Sequence, residues 1–249
     1  MSAPSRRSLL TGVGGLLLSG CDRMNEAPAF RDLLRGAEGL SYRAHRLLSD
    51  RNALAREYAP EERSPVFRSN GTRLPMTPEW QRWADGGFAD WRLRLFGRVE
   101  RPLALSLPEL RRLPARTQIT RHDCVEGWSA IGKWTGARLG PLLQAAGLKP
   151  DARYLAFHCA DAIGGTRYYE SIDLVDAFHP QTILAYDLND APLPIANGAP
   201  LRLRVERQLG YKHAKYLTAI EAVARLDTIG GGRGGFWEDR ADYQWYAGI

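Results

Sequence analysis

Leu201, Leu203 and Val205 alternate with Arg202, Arg204 and Glu206, and Trp91, Leu93 and Leu95 alternate with Arg92 and Arg94. A two-residue period sends successive side chains to opposite faces, so both runs are predicted to be strands with one apolar face. Further strands are predicted at 116–121, running into Cys124, and at 154–159, 182–187 and 216–226. Helical signals are short. Ser106-Leu107-Pro108-Glu109 is a capping box that opens a helix carrying Leu110 and Leu113. Leu139, Leu142, Leu143 and Ala146 fall on one helical face, with Gly147 as the residue that ends it. A third short helix is predicted at 173–178. Short strands and helices, intermixed and joined through Pro and Gly, define an α+β class.

Composition limits what such a fold does. The 249 residues suffice for one large domain or two small ones. With 44% apolar and 25% charged residues, disordered, collagen-like and coiled-coil chains are excluded. A net charge of +6 without a Lys/Arg block reads as a solvated cationic surface rather than a nucleic-acid site, and a small anionic substrate or cofactor fits it equally well. Three cysteines are too few for a disulfide scaffold. No Walker loop, strand–GxGxxG–helix unit, HExxH, CxxC or CxxCH occurs, which removes nucleotide, zinc and covalent c-type haem chemistry. The glycine-rich 230–235 stretch reads as a flexible loop with no helix after it, followed by an aromatic tail from Phe236 to Tyr246.

The first residues are an address rather than fold. Ser5-Arg6-Arg7-Ser8-Leu9-Leu10 precedes a short, Gly-diluted apolar run, well under the roughly 18 residues a membrane span needs. The pattern resembles a twin-arginine export signal. Leu18-Ser19-Gly20-Cys21 resembles a lipobox, and Asp22 follows it. The expectation is a signal over residues 1–20, lipid on Cys21, and a protein held at the periplasmic face of the cytoplasmic membrane. Twin-arginine passengers fold before crossing, which suits a protein that acquires a redox cofactor in the cytosol. Residues 21–64 are expected to form a tether with surface helices at 29–34 and 42–58. A single compact domain is expected over 65–249.

Cys124 lies in Arg121-His122-Asp123-Cys124-Val125-Glu126-Gly127-Trp128-Ser129. On residue chemistry alone three readings stand open: a disulfide with Cys159, an inert buried thiol, or a metal ligand or nucleophile. Arg121 and a protonated His122 would help to keep a thiolate there.

Three segments, in order, resemble the molybdopterin-binding domain of the sulfite oxidase superfamily. They are Cys124-Val125-Glu126-Gly127-Trp128-Ser129, the run from Ala185 through Pro194 and Asn197-Gly198-Ala199-Pro200-Leu201-Arg202, and Gly210-Tyr211-Lys212-His213-Ala214-Lys215-Tyr216. The ending from Gly235 to Trp245 also resembles the family. The resemblance implies a sulfite-oxidase-type fold and one molybdenum-molybdopterin per chain, with the Cys124 thiolate as metal ligand. It implies Lys215, His213 and Arg202 around the pterin phosphate, with Lys212 and Ala214 nearby, and Asn197 on the pterin edge. Phe67-Arg68-Ser69-Asn70-Gly71 matches a loop of further pterin contacts, here Arg68, Ser69 and Asn70. Cys159 stands where the methionine-sulfoxide-reductase branch has a cofactor-touching Thr, and Tyr168 matches the active-site Tyr. After Cys124, sulfite oxidases carry a cationic cluster where this chain has Gly127, Trp128 and Ser129, and Trp128 suits stacking on an uncharged group. The resemblance therefore leans to an exported reductase of a sulfoxide or related oxo-compound. The alternatives are a sulfite dehydrogenase and a non-catalytic anion-binding lipoprotein. It also implies an external redox partner, either a membrane haem or quinol-linked protein or a soluble cytochrome. A monomer is expected.

Overall fold

The computed structural model describes residues 27–249. The signal expected over residues 1–20, with Arg6 and Arg7, and the lipobox Cys21 lie outside the described residues. The chain divides after Ser49 into two units. In the first, one continuous helix, α1 (Pro28–Leu48), replaces the two helices expected at 29–34 and 42–58. Pro28 opens it, where a missing N–H is harmless. Arg46 lies 5.3 Å over the ring of Tyr42, one turn earlier.

The second unit begins at Asp50, earlier than the expected start near Pro65. The backbone makes the difference. Tyr58 N–H donates to Ile119 O at 2.9 Å and Ser64 N–H to Ile131 O at 3.0 Å, so part of the expected tether runs along a sheet edge. Two sheets follow, built from β1 (Arg92–Gly97), β2 (Leu103–Ser106), β3 (Ala115–Cys124), β4 (Trp128–Arg138), β5 (Tyr154–Ile163), β6 (Thr166–Asp173), β7 (Ile183–Leu188), β8 (Ala191–Pro192), β9 (Arg202–Arg204) and β10 (Leu217–Val223). One sheet has the order β2-β1-β10-β5-β6. The other runs β3-β4-β7-β8, with β9 also pairing β7. The β1–β10 pair is parallel; the other pairs are antiparallel. This is the expected α+β mixture of strands and short helices.

The main core joins both sheets. Leu93, Leu95, Leu155, Phe157, Leu217 and Ile220 of the first pack in one cluster with Ala137, Leu184 and Leu203 of the second. Each large apolar side chain buried this way is worth about 1.5–3 kcal/mol. The short helices are α2 (Pro78–Asp85), α3 (Leu107–Arg111), α4 (Leu139–Ala146), α5 (Leu174–Ala177) and α6 (Phe236–Ala241). At α3 the capping box closes as expected: Glu109 N–H donates to Ser106 Oγ at 3.4 Å, and Ser106 N–H to the Glu109 carboxylate at 2.8 Å. Helix α4 buries Leu139, Leu142, Leu143 and Ala146 and stops at Gly147, whose φ is +70°.

Two expectations differ. The stretch after Cys124, to which no strand was assigned, is the long strand β4. Its glycines disguise it. At Gly136 the register against β7 shifts, and a Cβ would stand 2.3 Å from Leu184 O. At Gly132 a Cβ would stand 2.8 Å from the Phe67 ring. The second difference is α6, which follows the glycine-rich stretch where no helix was expected.

Candidate functional site

The site grows from one face of β3. Gln118, Thr120 and His122 alternate inward and are buried, and Cys124 ends the same row. Their partners come from β9 and just beyond it. Arg204 reaches Glu206 at 2.6 Å, His122 Nδ1 at 3.0 Å and Thr120 Oγ1 at 3.4 Å. Gln118 donates to Glu206 at 2.8 Å. This network fixes His122. Burial, together with the neighbouring His213 and Arg204, holds its pKa well below 6.5, so the imidazole is neutral.

Cys124 itself closes a three-residue hairpin loop between β3 and β4, where it pairs with Trp128. Gly127 N–H donates to Cys124 O at 3.0 Å. Gly127 has φ of +83°, the left-handed conformation such a loop needs at its last position. The sulfur, half-buried, receives the Glu126 backbone N–H. Burial raises the thiol pKa, and Arg202 opposes that rise. The expected helpers fail for identifiable reasons. Arg121 is exposed and held by Asp123 at 3.0 Å, and His122 is neutral. Cys124 and Cys159 are both free thiols.

A cavity of about 250 Å³ opens on Cys124, lined among others by Asn70, Glu126, Asp161, Tyr168, His213 and Lys215. Around it the structure sorts the expected cofactor residues. Arg202 is fully buried and no carboxylate pairs with it among the described residues. Its Nη atoms donate to Asn197 O at 3.0 Å and His213 O at 3.4 Å. Burial foremost, then Arg204, lowers its pKa to about 9. Lys215 donates to Asn70 O at 2.7 Å, Ala196 O at 2.9 Å, Ser69 Oγ at 3.3 Å and Thr72 O. It thus staples the 69–72 loop to the 195–197 turn, and burial lowers its pKa to about 7. Ser69 Oγ donates to Ala196 O.

Other expected residues stand elsewhere. Lys212 is not at the cavity: its ammonium is buried between Glu170 and Glu238, the latter at 2.7 Å. Arg68 is exposed and outside the lining. Ala214 is buried, with its carbonyl accepting from Leu203 N–H at 2.8 Å. Cys159 faces a neighbouring cleft of about 570 Å³, whose lining shares Tyr168 with the first cavity. The Tyr168 hydroxyl donates to Tyr211 O at 2.7 Å, so its one proton is already engaged. Trp128 does not line the cavity. It stacks obliquely on His122 at 5.5 Å, and its indole N–H donates to Glu126 at 3.0 Å.

The aromatic walls are Tyr211, Trp237 and Tyr243, which sequence reasoning did not assign. Asp161, Thr72 and Glu126 were missed as well. The aromatic tail after Phe236 carried the signal, but nothing in its spacing showed that it turns back over Cys124.

Whether a molybdopterin fits is legible in buried polar atoms that no protein group satisfies. Asn70 Oδ1, His122 Nε2, Asn197 Nδ2, Arg202 Nε and His213 Nδ1 are all of this kind, and they belong to segments that meet beside Cys124. Native interiors rarely leave such atoms alone. A buried guanidinium without a carboxylate suits a phosphate, and amide and imidazole edges suit a pterin's donors and acceptors. The residues fit the group.

The model of the oxidoreductase molybdopterin binding domain family matches residues 81–228. The chain belongs to that family. A protein-methionine-sulfoxide reductase subunit by name, YedZ1 of Azospira oryzae, is 37% identical over 98% of this chain and 88% of its own length. The protein-methionine-sulfoxide reductase catalytic subunit MsrP of Xanthomonas campestris pv. campestris is 39% identical over 55% of this chain. The MsrP of Campylobacter jejuni is 32% identical over 53%. The chain spans about half the length of these MsrP relatives, 46% and 48%. Among solved structures, the sulfane dehydrogenase SoxCD from Paracoccus pantotrophus aligns with a TM-score of 0.51 at 25% identity, covering 55% of this chain and 39% of that one. As a member of this family the protein is a molybdopterin-dependent oxidoreductase.

Proposed function

We propose that this oxidoreductase reduces a sulfoxide or a related oxo-compound, and that it works exported, facing the periplasm. The carrying observation is the charge of the Cys124 cavity. Beside the cysteine stand Glu126 and Asp161, and the cations nearby are withheld from substrate. Lys215 is turned into carbonyls and His213 is neutral through burial. A dianion such as sulfite meets the Glu126 carboxylate here, whereas an uncharged sulfoxide meets no repulsion. The names of the relatives point the same way.

Bound, molybdenum-molybdopterin supplies the two-electron oxygen-atom chemistry. The chain supplies the rest. Cys124 offers a sulfur ligand, Arg202 a buried cation for the phosphate, and Asn70, Asn197 and His213 the hydrogen bonds that orient the pterin. Reduction of a sulfoxide consumes two protons and releases water. Asp161, raised in pKa by burial and partnered by Thr72, is a lining group able to hold one of those protons. Electrons come from an external partner, for which a membrane haem or quinol-linked protein is our reading. Among the described residues no helix is long and apolar enough to cross a membrane. Attachment through lipid on Cys21 belongs to the same proposal.

The test is turnover of cofactor-loaded protein with an artificial electron carrier, comparing methyl sulfoxides with sulfite. Sulfoxide reduction without sulfite oxidation is expected; the reverse makes the protein a sulfite dehydrogenase. Loaded protein that turns over neither is a binding protein.

A further inference from the structure

The walls of the Cys124 cavity carry more information than the absence of repulsion. Three aromatic rings stand together on its lining. Tyr211 and Tyr243 meet edge to face at 5.0 Å, and Trp237 stacks on Tyr243 at 5.9 Å. Two carboxylates share that lining. Glu126 is fixed beside Cys124 by the Trp128 indole N–H at 3.0 Å. Asp161 is 4% exposed and hydrogen-bonded to Thr72, and its Oδ1 has no partner.

The surrounding positive charges are committed elsewhere. Lys215 points into backbone carbonyls, Asn70 O at 2.7 Å and Ala196 O at 2.9 Å among them. Arg121 is held by Asp123 and Arg167 by Ala160 O and Glu79. His213 is neutral. The cavity therefore combines aromatic faces with the Glu126 carboxylate at their edge. Aromatic faces attract cations through the ring quadrupole, and carboxylates add direct Coulomb attraction. A purely apolar substrate arm explains the rings but gives the Glu126 carboxylate beside them no role.

We propose that the cavity selects oxo substrates bearing an alkylammonium group, with the cation seated between Tyr211, Trp237 and Tyr243 and the carboxylate of Glu126. The proposal rests on the sulfoxide-reducing reading of this cavity and names its substrate class. Glu126 and the rings then act on specificity, while Cys124 and the cofactor residues act on the reaction.

Two measurements on the loaded enzyme decide it. The first compares kcat/KM for three aryl methyl sulfoxides alike except for a trimethylammonium, a neutral or a sulfonate substituent. The cationic substrate should exceed the neutral one by roughly five- to thirty-fold, the range of one desolvated cation–π contact. The sulfonate should be the poorest. The cationic-to-neutral ratio should shrink in Glu126→Gln and in Trp237→Leu, and should fall as salt is raised. The second measurement needs no turnover: tetramethylammonium chloride, against sodium chloride at matched ionic strength, should quench tryptophan fluorescence saturably, and Trp237→Leu should lose that signal. Equal kcat/KM for the three sulfoxides overturns the proposal while leaving sulfoxide reduction standing. If no sulfoxide is reduced, the titration decides alone, and a flat titration overturns the proposal.

Discussion

Arg202 and Arg204 lie against the same indole, their guanidinium carbons 5.0 and 4.5 Å from the Trp134 ring centroid, yet only Arg204 has a carboxylate. Two residues apart on one short strand, they share burial and differ in partner. The difference assigns their roles. Arg204 and Glu206 are a closed internal pair that braces His122, and on the proposed reading Arg202 is the cation that meets the cofactor's phosphate. Arg204→Met should strand the buried Glu206 and cost about 3–5 kcal/mol of stability, read by urea unfolding. Arg202→Met should leave the unfolding midpoint of cofactor-free protein far less changed. It should lower molybdopterin affinity about 10- to 150-fold, read as molybdenum per folded chain.

Cys124→Ser should abolish turnover with little effect on folding, because the side chain sits half-buried at a hairpin end. Circular dichroism and unfolding should match the parent, and the metal's sulfur coordination, read by X-ray absorption, should lose one sulfur. A fully active Cys124→Ser enzyme refutes the ligand assignment.

The cofactor-free protein should become more stable as pH rises above about 7. Lys215 has its pKa lowered from 10.5 to about 7, chiefly by burial. Between those values the unfolded chain holds a proton that the folded chain has released, so stability climbs by up to about 1.4 kcal/mol per pH unit. Lys215→Met should flatten that part of the unfolding profile. Should a bound phosphate favour the charged ammonium, molybdopterin affinity will move the opposite way over the same range, weakening as pH rises.

Two glycines of the Cys124 hairpin should respond differently to alanine. At Gly136 the new methyl collides with the backbone of β7, which cannot move aside, so Gly136→Ala should destabilise severely. At Gly127 the space is open, and only the left-handed conformation is strained. Gly127→Ala should cost about 1–2 kcal/mol, and Gly127→Asn less, in thermal unfolding.

Lys212→Met should leave Glu170 and Glu238 buried without their cation and cost about 3–5 kcal/mol. The triple variant with Glu170→Gln and Glu238→Gln should recover most of it. A Lys212→Met protein of parental stability would show that the triad does not hold the fold.

Much of this was legible in the sequence. The strand alternation, the Ser106 capping box and the α4 stripe are local patterns, and the structure contains all three. Cys124, Asn70, His213 and Lys215 do converge on one cavity. What the sequence hid is non-local. Lys212 looks like its basic neighbours, and only folding reveals two carboxylates around it. Arg204 looks like the polar face of a strand, and only folding sets His122, Thr120 and Glu206 around it. Strand β4 escaped because glycines needed for close approach mimic a loop. Asp161 and the aromatic wall escaped because no spacing rule links residues 161, 211, 237 and 243.

The Lys212 triad has a consequence for how this enzyme can diversify. It pins α6, and with it Trp237, to β6 through Glu238 and Glu170. The segment after β10 contributes Trp237 and Tyr243 to the cavity but none of the unsatisfied polar atoms that fit the pterin. On the proposed reading, the part of substrate recognition carried by Trp237 and Tyr243 thus lies on a stretch of chain separate from the residues that hold the metal. Exchanging residues 230–249 between relatives, with the triad kept, is a route to new specificities that does not disturb the molybdenum bed.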